Sequence, residues 1–227
     1  MIIILPSVSL ISVSSDTPLE LIEGIGRVCH KNEDKIEPGS AVNFVKRYAI
    51  DMHHETLLEH VTMTFKVICD RGVSHELVRH RMATFHQEST RYCRYRNNLT
   101  FIKPLFFKEL PLGEFHSLKE VIEGKKINSA TLYNSLTWIS AMLQAELCYI
   151  DLINGGMEAQ EARSVLPNSL KTEVNLTMNL RELRHFFNLR LAPSAHPQMI
   201  EVARLMFSIA HEKVPIIFND IAIAYNL

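Results

Sequence analysis

The chain is 227 residues long, 47% hydrophobic and 22% charged, with a formal net charge of -1. That length and apolar content support a sizeable core in a single domain, expected to span residues 1–227. The balanced charge excludes a generally basic nucleic-acid binder, so any anionic ligand must meet a local cluster of cations.

The apolar start, Met1 to Leu10, lacks a basic n-region and a small-x-small cleavage site and carries Pro6 within it. It reads as a strand through Ile2 to Leu5 rather than a signal sequence. Gly24-Ile25-Gly26 opens like a dinucleotide fingerprint, but Cys29 stands where the third glycine is needed, which argues against a Rossmann site. Lys31 to Ser40 and Lys103 to Gly113 are the segments most broken by Pro, Gly and charge. His54 to His60 resembles a zinc helix at first sight. Its histidines are six apart, about 240° round an α-helix, so no metal site is expected there.

Val61, Met63, Phe65, Val67 and Cys69 alternate with more polar neighbours, the period of a half-buried strand. Asp70-Arg71-Gly72 should end it, a short helix should follow from about Val73 to Arg81, and irregular chain from Gln87 to Arg96. Ile127 to Asn154 reads as one long helix with the stripe Leu132, Leu136, Ile139, Leu143, Leu147 and Ile150, stopped by Gly155-Gly156. A second helix covers Glu158 to Val165. Val174, Leu176 and Met178 mark another strand. Leu180, Leu183, Phe187 and Leu191 make a helix stripe, and a last helical region starts near Pro197 with a break at Pro215. No run of 18 or more apolar residues exists, so no membrane-spanning helix is expected. Strands and helices do not alternate regularly, which predicts an α+β fold: a mostly antiparallel sheet packed against helices, with a long-helix bundle portion.

Six of the thirteen arginines fall between Arg71 and Arg96, and no lysine occurs from Val67 to Phe101. A solvated charged face would intersperse Lys and Glu. Clustered guanidinium forks instead suit phosphate, which they bind bidentately at any working pH. Arg79-His80-Arg81 is not the nucleophilic histidine motif of phosphatases, which needs a glycine at Arg81. The four cysteines, Cys29, Cys69, Cys93 and Cys148, form no Cys-x-x-Cys pair, suit a reducing compartment and are expected as small buried hydrophobes.

Arg79-His80-Arg81, seven residues, then Ser89 and Arg91-Tyr92 resembles the signature of flavin-dependent thymidylate synthases. Arg27-Val28, His54-Glu55-Thr56, Glu59-His60, Ala162-Arg163 through Leu166-Pro167, Asn179-Leu180-Arg181, Phe186 to Arg190 and His196-Pro197-Gln198 follow in the family's order. The resemblance implies a methyltransferase that makes dTMP from dUMP, with FAD, NADPH and methylene-tetrahydrofolate, in a cytoplasmic homotetramer with shared active sites. Small molecules and other copies of the chain are then its partners, not nucleic acid or membrane.

It also implies roles. Glu76, Arg79, Gln87, Glu88, Ser89, Thr90, Arg91 and Arg163 would bind dUMP. Thr56, Glu59, Arg79, His80, Arg81, His86, Gln87, Asn179, Arg181, His185 and His196 would bind FAD. Arg190, at the pyrimidine edge, and His54 would be catalytic. No cysteine nucleophile is implied; Cys93, among Arg91, Arg94 and Arg96, is the one rival. The chain departs from the family at Cys29 (Ser), Thr84 (Ser), Glu76 (Gln), His86-Gln87 (Asn-Glu) and His185 (Asn). The alternatives are a relative acting on another pyrimidine nucleotide, or a single-strand-binding module stacking bases on Tyr92 and Tyr95.

Overall fold

A computed structural model describes residues 1–108, 110–122 and 129–227, with no side-chain account of residues 122 and 129–132. The chain begins with β1 (Ile2–Ile4) and β2 (Ser7–Val13), then α1 (Pro18–Arg27) and α2 (Ser40–Phe44), which continues as a π-helical stretch over Val45–Asp51. A 3-10 helix, Glu55–His60, leads into β3 (Thr62–Asp70), α3 (Arg71–Leu77) and β4 (Ala83–Gln87). Next come β5 (Thr100–Ile102), β6 (Gly113–Glu114), α4 (Leu118–Ile122), α5 (Ser129–Asn154), α6 (Ala159–Ala162) and a 3-10 turn, Arg163–Val165. The chain closes with β7 (Lys171–Asn179), α7 (Leu180–Arg190), α8 (Pro197–Lys213) and α9 (Pro215–Tyr225).

These elements fall into two compact units, each built from several chain segments. One holds Met1–Ser7, Ile68–Leu77 and Gln87–Val174; the other holds Val8–Val67, Val78–His86 and Asn175–Leu227. In the first unit β1 lies between β5 and β6. It runs parallel to β5, with Ile2 opposite Thr100, and antiparallel to β6. Its core gathers Ile3, Phe101, Ile139, Met142, Tyr149 and Leu170.

The second sheet has the order β2-β3-β7-β4. Val61 O accepts from Leu180 N, Thr64 faces Thr177 at 2.9 Å, and Leu170 O accepts from Arg71 N. Partners advance along β3 as they recede along β7, so this pair is antiparallel. Val61, Met63, Phe65, Val67 and Cys69 are fully buried, as are Val174 and Leu176, at about 1.5–3 kcal/mol for each large side chain. In the second unit α7, α8 and α9 close on an aromatic cluster in which Phe187 lies 5.2 Å from Phe207 and 5.5 Å from Phe218. The α+β class and the helical bundle portion stand, with the β1–β5 pair a parallel exception.

Several expectations are corrected. β2 and β4 were not anticipated. β2 buries none of its residues and β4 is short and polar, so neither has a strong apolar signature. α3 starts at Arg71 because Asp70 Oδ1 accepts from Val73 N at 2.7 Å, and it ends four residues before Arg81. Gly24 and Gly26 lie inside α1 rather than in a strand-to-helix turn; a Cβ on Gly26 would stand 2.7 Å from the Phe44 ring. Only Cys69 among the cysteines is buried, and Cys29 is exposed.

The long helix meets its expected end, where Gly156 takes φ +95. Residues 127 and 128 lie outside the described residues, and the side chain of Leu132 is not described. The expected stripe is met in part: Ile139 is buried and Leu143 and Ile150 pack against the core, but the fully buried line runs beside it. Ser135, Ile139, Met142, Glu146 and Tyr149 face inward, while Leu147 is 56% exposed. Glu146 is tolerated inside because it accepts from Leu99 N at 2.7 Å and pairs with the Met1 amino group at 2.8 Å. Contrary to expectation, Tyr133–Asn154 is long and apolar enough to cross a membrane by length and composition. Its inner face nevertheless belongs to the core of the first unit.

Candidate active site

The expected ligand-binding residues sort by unit. Glu76, Gln87, Glu88, Ser89, Thr90, Arg91 and Arg163 lie in the first; the expected flavin residues, except Gln87, lie in the second with Arg79, His54 and Arg190.

In the first unit the chain turns tightly after β4. Ser89 O accepts from Tyr92 N at 3.1 Å and Cys93 N at 2.9 Å, while Ser89 Oγ accepts from Arg91 N at 3.3 Å. The turn exposes Arg91, whose guanidinium stacks 5.3 Å over the Tyr92 ring. It also carries buried Thr90 to Arg163, which donates to Thr90 Oγ1 at 3.5 Å. The 3-10 turn after α6 presents that arginine, and the Glu158–Glu161 capping box starts the helix.

Among the departures from the family pattern, Gln87 has definite partners, as does its neighbour Glu88. Gln87 donates both amide hydrogens, to Ser74 Oγ at 2.9 Å and Thr172 Oγ1 at 3.1 Å, so any further bond it makes must be accepted by its oxygen. Glu88 accepts from Tyr95 OH at 2.6 Å and Lys171 Nζ at 3.0 Å. Burial first, and then the bond to Glu88, raise the Tyr95 pKa, so the phenol stays protonated. Burial works against the Lys171 charge, but the bonds to Glu173 and Glu88 outweigh it and raise its pKa. Tyr95 is therefore tied down, with its ring 5.8 Å from that of Tyr149, rather than free as a base-stacking platform. Glu76 sits half-buried on α3.

In the second unit the N-terminus of α7 opens onto a cleft of about 440 Å³. Asn179 caps the helix by accepting from Glu182 N at 2.8 Å. Asn179, Arg181, Glu182 and His185 line the cleft with Met82, Glu55 and Glu59. Half-exposed Arg181 donates to Glu59 at 2.6 Å. Arg184, also at the cleft, is buried and clamped by Asp220 at 2.8 and 2.7 Å. Arg79, Arg81, His86 and His196 are exposed.

His54 and Thr56 are brought together elsewhere, in a cavity of about 130 Å³ with Cys29, Phe44 and Tyr48. His53, at φ +57, turns the chain there through a left-handed conformation uncommon outside glycine. The helix from Glu55 to His60 is 3-10, so the α-helical angle used against a zinc site does not apply; His54 precedes the helix with non-helical angles. Among the described residues the one group able to hold a metal is His80, Glu182 and His185, within 4.8 Å of one another.

His80 is 5% exposed and engaged at both ring nitrogens: Nδ1 lies 3.1 Å from Glu182 Oε1, and Arg190 Nε donates to Nε2 at 3.0 Å. Burial, with the charge of Arg190, lowers its pKa against the opposing pull of Glu182. A histidine expected to line the flavin thus spends both ring nitrogens inside the protein, on Glu182 and Arg190. Glu182 and Lys171 escaped the sequence reading. One reads as a helix-cap acid and the other as an outward strand residue, and their partners lie 102 and 83 residues away.

The family described as "Thymidylate synthase complementing protein" matches residues 9–216. The flavin-dependent thymidylate synthase of Pyrococcus furiosus is 37% identical over 151 residues, 66% of this chain and 54% of that protein. That of Pyrococcus abyssi is 33% identical over 192 residues, 82% of this chain and 71% of that one. The chain thus spans about half the length of the first relative and more of the second. A structure of thymidylate synthase X from Helicobacter pylori with FAD and dUMP shares the fold, at TM-score 0.69 and 20% identity over 95% of this chain and 98% of that one. A UMP/dUMP methylase from Streptomyces cacaoi bound with 5-Br dUMP superposes at TM-score 0.75 and 26% identity, over 96% of each chain.

Proposed function

The chain belongs to the flavin-dependent thymidylate synthase family, and from that premise we propose that it converts dUMP to dTMP, with methylene-tetrahydrofolate as carbon donor and NADPH-reduced FAD as reductant. The observation that carries this reading is the meeting of the Ser89-Thr90-Arg91 turn with Arg163, which brings one guanidinium onto the Thr90 hydroxyl of a turn that itself exposes Arg91. A phosphate near two negative charges requires such convergence.

In this reading Ser89, Thr90, Arg91 and Arg163, with Arg79, hold the dUMP phosphate. Glu76, Gln87 and Glu88 border the nucleotide, Gln87 as an acceptor. Arg190 meets the pyrimidine edge, where charge grows as C5 becomes nucleophilic. The cleft of the second unit fits part of FAD. Arg181 stands half-exposed at it with Asn179, Glu59 and His185, and Arg79 and Arg81 add exposed guanidiniums for a pyrophosphate. Thr56, His86 and His196 complete the flavin set, and His54 acts at the reacting rings. FAD, when bound, supplies the reducing equivalents. Burial, then Asp70, raises the Cys69 pKa, so its thiol is unsuited to attack.

Residues 1–227 act as one functional domain, since the family match runs from 9 to 216 through both units. The active form is a cytoplasmic homotetramer acting on small molecules, not nucleic acid or membrane. The exposed apolar side chains Tyr133 and Leu147 on α5 support association with other copies.

The test is direct. Purified protein supplemented with FAD should be yellow and form dTMP from dUMP, methylene-tetrahydrofolate and NADPH. Colourless protein without product would refute the reading. The likeness to the UMP/dUMP methylase favours a second reading, in which UMP is also accepted. Running UMP beside dUMP in the same assay separates the two.

A further inference from the structure

Glu182 occupies the third position of α7, where an acid ordinarily reaches back to the cap residue's backbone N–H. Here Asn179 takes the Glu182 N–H, and the Glu182 carboxylate, 8% exposed, turns onto the His80 ring. A carboxylate withdrawn from water needs a strong donor, and this one has chosen a buried imidazole over its own helix.

The direction of the hydrogen bonds follows from chemistry. Arg190 can only donate, so His80 Nε2, 3.0 Å from Arg190 Nε, must accept. The ring hydrogen therefore sits on Nδ1 and is donated to Glu182 Oε1 at 3.1 Å. Phe186 packs edge-on against the ring with centroids 4.9 Å apart, which opposes its turning over. Carboxylate, imidazole and guanidinium thus form one chain in which each group fixes the next. Without an acceptor at Nδ1, the ring can carry its hydrogen on Nε2. Two N–H groups would then face each other, and Arg190 would have to turn away.

We propose that Glu182 is a positioning residue: by holding the hydrogen of His80 on Nδ1, it fixes the plane of the Arg190 guanidinium. The bond to His80 is made through Nε, so it sets the plane in which the terminal nitrogens of Arg190 lie. The catalytic consequence rests on the role proposed above for Arg190; the geometric one does not.

The experiment compares Glu182→Ala, Glu182→Leu and Glu182→Gln with wild type in turnover, in a dUMP titration of the flavin spectrum, and in crystal structures. Glutamine keeps an acceptor for the ring hydrogen; alanine and leucine do not, and leucine preserves volume if alanine fails to fold. Removing a partner that orients a metal-bound histidine typically costs about 10–100-fold in activity, and a loss on that scale is expected for this buried ring. Glu182→Ala and Glu182→Leu should lose kcat on that scale with dUMP affinity little changed, and the Arg190–His80 contact should be broken. Glu182→Gln should keep the contact and most of kcat. Equal losses in Gln and Ala variants overturn the proposal, because charge or packing would then matter rather than the accepted hydrogen. An intact contact or full turnover in Glu182→Ala or Glu182→Leu overturns it too. If wild type forms no dTMP, the proposed function fails, while the crystal structures still decide whether Glu182 holds Arg190.

Discussion

Arg190 and Arg91 are both guanidiniums, yet they should fail in opposite ways. Charge on the uracil is small before reaction and grows as C5 attacks, so a cation at the ring edge acts mainly on the transition state. Arg190→Ala should lower kcat by ~10²–10³ with a modest rise in the dUMP dissociation constant. Arg91→Ala should weaken dUMP binding first, with saturated turnover near wild type. Arg190→Lys should recover little, because a point charge lacks the planar fork that His80 orients. Steady-state turnover beside a spectral titration of each variant checks this; unchanged saturated turnover in Arg190→Ala would move that residue among the phosphate ligands. His80 has a second consequence, in pH. Its folded pKa lies below the ordinary 6.5, so the unfolded chain takes up a proton first as pH falls. His80 therefore costs stability below about pH 6.5, by at most ~1.4 kcal/mol per pH unit, until the folded form also protonates. Melting curves from pH 7 to 5.5 should show a smaller acid-side loss for His80→Gln than for wild type. Equal losses would mean the ring is not held neutral.

At the scale of elements, α1 offers a paired test on two glycines of one helix. A Cβ on Gly26 meets Phe44 ring atoms at 2.7 Å, whereas one on Gly24 meets nothing within 4 Å. Gly26→Ala should destabilise by about 1–3 kcal/mol through overpacking. Gly24→Ala should stabilise by roughly 0.5–1 kcal/mol through helix propensity. Thermal unfolding of the two variants should therefore bracket wild type, and a stabilised Gly26→Ala would show that Phe44 gives way without cost. The same contrast explains what was readable beforehand. β3 and β7 were legible because their buried and half-buried residues alternate cleanly. The inner face of α5 was not. It carries Ser135 and Glu146, while apolar Leu147 and Tyr133 face out, so hydrophobicity found Ile139, Leu143 and Ile150 but missed the polar residues buried beside them. The arginine cluster and the family's blocks pointed to the residues proposed for the site. They could not give the Glu182–His80–Arg190 chain, since hydrogen bonds between residues 102 and 110 apart leave no mark in local spacing.

At the scale of the whole molecule, the exposed apolar side of α5 asks for a partner of its own kind. Leu147→Glu would place a carboxylate where the proposed tetramer buries a leucine, and an unpaired charge there is strongly disfavoured. Light scattering should report a smaller assembly, with far-ultraviolet circular dichroism unchanged, and dTMP formation should fall with it. Wild-type mass and activity in this variant would remove α5 from the subunit contact.

The pairing of β3 with β7 also sets a timetable. Thr64 meets Thr177 across 113 residues, and both compact units draw on chain from near the start and from beyond residue 170. During synthesis, a chain released vectorially carries β3, with its five apolar side chains, exposed until β7 has left the ribosome. Closing so long a loop is slow although its entropic penalty grows only logarithmically with length. Neither unit can mature ahead of the other, so nascent protein should depend on chaperone cover late in translation, and truncations short of residue 179 should be cleared rather than accumulate as half-molecules.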